Sequence, residues 1–223
     1  MCCRDVGECC DEFWAAGTVD CCGLVPLLWS EVGGPAWVRV VSKPLASLGF
    51  IGVGLACGAL DNAVGQATLV ALFLCAVGDV CLLGTARAPF LAGLVAFLLG
   101  HVGYAAACLL GGVSAAAVGL AALPLVLFGG GVLRWLWPSL PAKMKVPVCA
   151  YVAVIMTMAA CAVGATAAGR SVWIAVGAGL FVVSDLFVAR NRFVAPGPVN
   201  RLWGLPLYYG AQLILAAVLG SGG

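Results

Sequence analysis

Apolar residues in this chain run on for about twenty positions at a time, with few polar interruptions. A run of about 20 apolar residues is what a helix needs to cross the hydrocarbon core of a bilayer. Seven such runs stand out, at about 40–60, 66–84, 89–111, 113–137, 146–168, 171–189 and 202–219. An eighth candidate, 13–29, carries Asp20 and is the weakest. The pattern predicts an all-α, polytopic membrane helix bundle of eight helices, seven of them clear and the first one weak. Residues 1–35 read as a divergent Cys-rich N-terminal segment, and 36–223 as the membrane domain. The connections are short, so neighbouring helices are expected to be antiparallel.

Composition agrees with that pattern. The chain is 64% hydrophobic and 9% charged, with a mean hydropathy of +1.14, whereas soluble domains carry about 25% charged residues. The net charge of +2 comes with no basic run, so nucleic acid is not an expected partner. Residues 1–20 are acidic and lack a basic stretch ahead of an apolar core, so no signal peptide is expected. With antiparallel helices, Arg39, Lys43, Arg87, Arg134, Lys143, Lys145, Arg190, Arg192 and Arg201 share one side, and only Arg170 falls on the other. That asymmetry predicts that the first side is cytosolic.

Cysteine usage adds little chemistry. Six of the twelve cysteines form adjacent pairs, Cys2-Cys3, Cys9-Cys10 and Cys21-Cys22, and six more lie in or beside apolar runs. Adjacent pairs with a single histidine do not make a zinc pattern. Inert thiols are expected, with palmitoylation of the N-terminal pairs as the alternative.

The informative positions are the polar ones inside the runs. Asp79 and Asp185 are each surrounded by apolar residues. A carboxylate inside a span costs roughly 2.5–3.5 kcal/mol, so it usually faces the bundle interior and has a function. Counting from Arg87, Asp79 lies about 12 Å deep, and counting from Arg190, Asp185 lies about 7–8 Å deep. Lys43 stands at the mouth of its helix, and His101 lies about 18 Å in. Tyr104 follows His101 on the same face, and Tyr208, Tyr209 and Gln212 occupy the same half of the last helix. Asp79 with Lys43 could equally be a structural ion pair, His101 or Gln212 a helix-bridging hydrogen bonder, and Tyr208 and Tyr209 belt residues. Ser184 is expected to bond back into its own helix. Gly93, Gly100, Gly177 and Gly179 are expected at close helix contacts. Two echoes, around Asp79 and Asp185 and around Lys43 and Lys145, would suit a parallel 4+4 duplication.

Taken in order, these residues form a recognisable set: Lys43-Pro44-Leu45; Gly78-Asp79 followed by Leu82-Leu83; Gly100-His101 with Tyr104; Pro147-Val148 with Tyr151; Ser184-Asp185; and Leu207-Tyr208-Tyr209 with Gln212. Over about residues 40–219 the chain resembles the YhhN-type transmembrane family, which includes the eukaryotic lysoplasmalogenases. The resemblance implies eight helices, an endoplasmic reticulum membrane location, and hydrolysis of the vinyl-ether bond of lysoplasmalogens, a lysophospholipid substrate drawn from the bilayer. That chemistry needs a proton donor, a base for water, and negative charge near an oxocarbenium ion. Asp79 and Asp185 are the candidate acid–base pair, with the acid unassigned between them. Lys43, His101, Tyr104, Tyr208, Tyr209 and Gln212 are the candidate binding or orienting residues. No metal or other cofactor is expected. The competing classes are a proton-coupled transporter, which also buries Asp and His, and a non-catalytic lipid-binding protein.

Overall fold

The computed structural model describes residues 24–84 and 86–222. Residues 24–31 are helical (α1). They are followed by α2 (Ala36–Ala56), α3 (Ala63–Cys81), α4 (Arg87–Leu110), α5 (Ala115–Leu136), a 3-10 turn (Trp137–Ser139), α6 (Ala142–Ala167), α7 (Trp173–Ala189), a π-helical turn (Arg190–Val194) and α8 (Pro198–Gly220). No strand occurs among the described residues. Helices α2 to α8 are each long and apolar enough to cross a membrane. The protein is an integral, multi-pass membrane protein, and the seven clear runs are its seven long helices. Of the weak first run, 24–29 are helical and continue to 31; the rest of it, like the paired cysteines, lies outside the described residues.

Local chemistry sets the helix ends. Gly58 adopts φ +81° and closes α2 earlier than the apolar run suggests. Asn62 then starts α3, its side chain accepting the Gly65 N–H at 2.7 Å. Ser114 caps α5 by accepting from the Ala117 N–H.

The outer surface is apolar, with Leu120 81% exposed and Leu123, Val126 and Leu127 close behind it. Lipid solvates such a surface, so helix association rests on close packing and internal polar contacts. The most extensive pairs are α3 with α4 and α7 with α8; α2 closes against α3 and α8, and α6 packs between α4, α5 and α7. Glycines set the distance in several of these contacts. A Cβ on Gly100 would sit 2.7 Å from the Cys75 sulfur, and one on Gly177 2.9 Å from Leu215. Gly93 is similarly tight against Leu82. Gly179 departs from expectation: it is exposed, with nothing within 4 Å of an added Cβ. Positions two apart on a helix face away from each other, so Gly177 and Gly179 cannot both meet α8.

The core is continuous, and Phe50, Leu72, Tyr104, Phe181, Tyr209 and Leu215 are fully buried in it. Leu27 of α1 is also fully buried there. Glu31 of α1 pairs with the Arg201 Nε at 3.0 Å.

Candidate active site

A cavity of about 320 Å3 opens at the Lys/Arg-rich end of the bundle, and both Asp79 and Asp185 line it. The last turn of α3 brings Asp79 to one wall and the last turn of α7 brings Asp185 to another. Leu82, Phe97, Val148, Met156 and Val182 make the cavity largely apolar. Arg39 and Arg201 stand on its lining too, and the Arg39 Nε is buried without a hydrogen-bond partner.

Asp79 is 2% exposed and fully engaged. The Lys43 Nζ lies 3.1 Å from its Oδ1. Its Oδ2 accepts from the Ser47 hydroxyl at 2.8 Å and the Tyr208 hydroxyl at 2.7 Å. An ammonium and two hydroxyl groups thus surround the buried carboxylate, each offering it a hydrogen. Helix geometry makes the arrangement: Ser47 is one turn from Lys43 on α2, so both reach α3 together. The Ser47 hydroxyl also lies 3.0 Å from the Lys43 carbonyl oxygen.

Asp185 has different company. The Tyr151 hydroxyl meets its Oδ2 at 2.6 Å, and the His101 Nε2 lies 3.5 Å from the same oxygen. The other ring nitrogen, Nδ1, lies 2.6 Å from the Phe97 carbonyl oxygen. A carbonyl only accepts, so Nδ1 donates its proton there. The Nε2 atom faces the carboxylate without a hydrogen bond to it. The two aspartates therefore differ: one is paired with the Lys43 ammonium, and the other meets a phenol and an imidazole.

A second layer supports the first. Gln212 donates to the Tyr208 hydroxyl at 3.0 Å and accepts from the Tyr104 hydroxyl. Tyr209 donates to the Lys43 carbonyl at 3.3 Å, tying α8 to α2 rather than touching a carboxylate. Phe181 stands between the two networks, its ring 4.5 Å from His101 and 5.4 Å from Tyr208, both edge-on. The structure thus brings every predicted polar residue into one assembly. Lys43 and Tyr208 line the cavity, whereas Tyr104, His101, Tyr209 and Gln212 lie behind it. Tyr208 and Tyr209 are buried, 6% and 0% exposed, and are not belt residues.

One expectation is corrected. The Ser184 hydroxyl makes no bond back into its helix; it is buried on the cavity lining with no hydrogen-bond partner. The close seat of α8 turns it inward, with Gly204 packed near its backbone. Ser47 and Tyr151 were not singled out as site residues from sequence. Tyr151 had a signal, a phenol one turn beyond Pro147 at the depth of Asp185, but Ser47 had none apart from its four-residue spacing from Lys43.

The model of the YhhN family matches residues 38–219. The chain belongs to the YhhN family. Its similarity extends to curated members of that family. It is 33% identical over 211 residues to Lysoplasmalogenase TMEM86B of Sus scrofa, spanning 91% of this chain and 84% of the relative. It is 29% identical over 200 residues to Lysoplasmalogenase TMEM86A of Bos taurus, with 85% and 81% covered. A Lysoplasmalogenase of Mycobacterium bovis is 30% identical over 199 residues, with 84% and 72% covered. No solved structure matches the chain. The residues of the Asp79 and Asp185 networks, from Lys43 to Gln212, all lie inside the region matched by the YhhN family.

Proposed function

We propose that this YhhN-family chain hydrolyses the vinyl-ether bond of lysoplasmalogens, releasing a fatty aldehyde and a glycerophospho-base. Relatives from mammals and mycobacteria carry the name lysoplasmalogenase. The observation that carries the reading is the contrast between two aspartates on one apolar cavity, Asp79 tied to Lys43 and Asp185 set beside Tyr151 and His101.

The chemistry divides between them. The Asp185–His101 pair delivers its proton to the β-carbon of the vinyl ether, leaving an oxocarbenium ion. Asp79 keeps its charge throughout and stabilises that cation from the opposite wall, an electrostatic role suited to a low-dielectric cavity. Water adds to the cationic carbon and returns one proton to the Asp185–His101 pair. That proton passes to the ether oxygen as its bond to the hemiacetal carbon breaks and the alcohol leaves, while the hemiacetal hydroxyl gives its own proton back to the pair and becomes the aldehyde carbonyl. One water is consumed and the pair is restored. Tyr151 orients Asp185, Ser47 and Tyr208 orient Asp79, and Ser184 offers a hydroxyl to the substrate or the water. Arg39 and Arg201, at the mouth, suit the phosphate of the headgroup.

Tyr151→Phe removes one hydrogen bond to the acid while keeping the ring beside His101, 5.3 Å away. Such a bond to a charged group is worth roughly 1.5–3 kcal/mol, so kcat should fall about 10- to 100-fold with KM and folding unchanged. A variant with undiminished kcat removes Tyr151 from the site. Activity should also survive chelator; loss with EDTA and recovery on adding a divalent metal would replace the carboxylate mechanism with a metal one.

The deciding assay is purified protein in detergent against alkenyl, alkyl and acyl lysophospholipids. Aldehyde release from the alkenyl lipid alone is expected. Acyl cleavage would make the protein an esterase, and inactivity in detergent with flux in sealed vesicles would make it a transporter. Nine Lys and Arg residues at the cavity end support a cytosolic mouth. We also propose the endoplasmic reticulum membrane as its site. Labelling of a C-terminal tag in selectively permeabilised cells tests both, with the tag expected on the lumenal side.

A further inference from the structure

We infer that the hydrocarbon tail of a single-chain lipid enters the cavity sideways from the bilayer, through a cleft between α5 and α7. This rests on the reading of the cavity as a lipid site and adds the route and the tail subsite.

Three observations meet at this place. The first is how α5 packs. It lies along α6 and has no substantial contact with α7, and only Gly129 and Leu136 of it are buried. A helix in the bilayer that leaves its neighbour-but-one uncovered leaves a slot open to lipid. The second is the slot itself, a cleft of about 440 Å3 with Phe128, Gly131 and Val132 on one side and Val183, Leu186 and Phe187 on the other. The third is continuity. Val132, Leu186 and Phe187 line both this cleft and the cavity of the two aspartates, and Leu186 follows Asp185 directly.

The occupant follows from where the cleft lies and what lines it. Both helices are membrane spans, so the cleft faces hydrocarbon, and its walls are apolar apart from Arg190 at the basic end. An alkyl chain in the cleft would leave its polar head toward that end, where Arg39 and Arg201 flank the cavity. Phe128-Gly129-Gly130-Gly131 gives α5 three successive glycines, which weaken a helix. Gly129 lets Val152 and Met156 of α6 approach to 3.1 and 3.2 Å of where its Cβ would be. Gly131 has no such neighbour; nothing lies within 4 Å of an added Cβ, and the space is the cleft. Gly130 is equally open but is not on the cleft lining, so it serves as a matched control.

The test compares Gly131→Trp with Gly130→Trp in proteoliposomes. Gly131→Trp should raise KM for a long-chain alkenyl lysophospholipid by about tenfold, as the indole fills the space of the tail. KM for a short-chain, water-soluble analogue should be unchanged, and Gly130→Trp should leave both unchanged. Equal KM values for the long-chain lipid in the two variants would overturn the route. A readout free of catalysis uses a lysophospholipid with a diazirine in mid-chain. It should label peptides spanning 128–132 or 183–187, and Gly131→Trp should suppress the label. Labelling confined to other helices overturns the proposal. Absence of any vinyl-ether hydrolysis by the unaltered protein defeats the enzymatic reading instead, and the labelling then still decides the cleft.

Discussion

Asp185→Asn should lower turnover of the alkenyl lysophospholipid by about a thousandfold, within the range that a positioned general acid contributes. The substitution keeps the shape of the side chain and an oxygen able to accept from Tyr151. An amide has no proton of suitable acidity, so the step that makes the oxocarbenium ion loses its donor. Folding should be little affected, because Asp185 is partly exposed to the cavity, at 18% of its side chain. His101→Gln should give a smaller loss, since the ring stands 3.5 Å from Asp185 and lies behind the cavity lining. Turnover within about tenfold of the unaltered protein for Asp185→Asn would assign the proton elsewhere.

Asp79→Asn is expected to fail differently, losing both activity and stability. Asp79 neutralises Lys43 at 3.1 Å, and both residues are buried. Removing one partner of a buried ion pair leaves an uncompensated charge, which costs about 3–5 kcal/mol. Melting in detergent should therefore drop clearly, unlike Asp185→Asn. The double variant Lys43→Met with Asp79→Leu removes both charges and should recover much of the melting temperature, because an apolar pair of similar volume is well tolerated in such a place. Its turnover should stay at background, since nothing then opposes the developing cation. Catalysis by the double variant at a rate near that of the unaltered protein would make the Lys43–Asp79 pair purely structural, the alternative that the sequence left open.

Much of this was legible before any coordinates. Runs of twenty apolar residues allow only one kind of structure in a bilayer, because every backbone polar group must be satisfied within its own helix. The seven long helices follow from that. The depth of Asp79, Asp185 and His101 follows from counting 1.5 Å per residue from the charged helix ends. The cost of a carboxylate in hydrocarbon made Asp79 and Asp185 the centre of interest, and the order of the polar motifs tied them to a family.

Rotation of each helix about its axis was not legible. In a soluble bundle an apolar stripe against a polar face fixes it. Here lipid and protein interior are both apolar, so Leu on the outside and Leu on the inside look the same. That is why Gly179 was mistaken for a packing position, why Ser184 was expected to satisfy itself, and why Ser47 passed unnoticed. The π turn at Arg190–Val194 was equally hidden, because one extra residue in a turn leaves no mark in an apolar run. Pairing of the carboxylates depended on the same rotations. Lys43 sits near either aspartate by depth alone; only the packing of α2 on α3 gives it to Asp79, and only the packing of α6 against both α4 and α7 brings His101 and Tyr151 to Asp185. Sequence therefore determined which groups share a layer of the membrane, since depth is additive along a helix. The tertiary structure decided which carboxylate meets the Lys43 ammonium and which meets His101 and Tyr151, since that depends on contacts between helices that no single run of residues encodes.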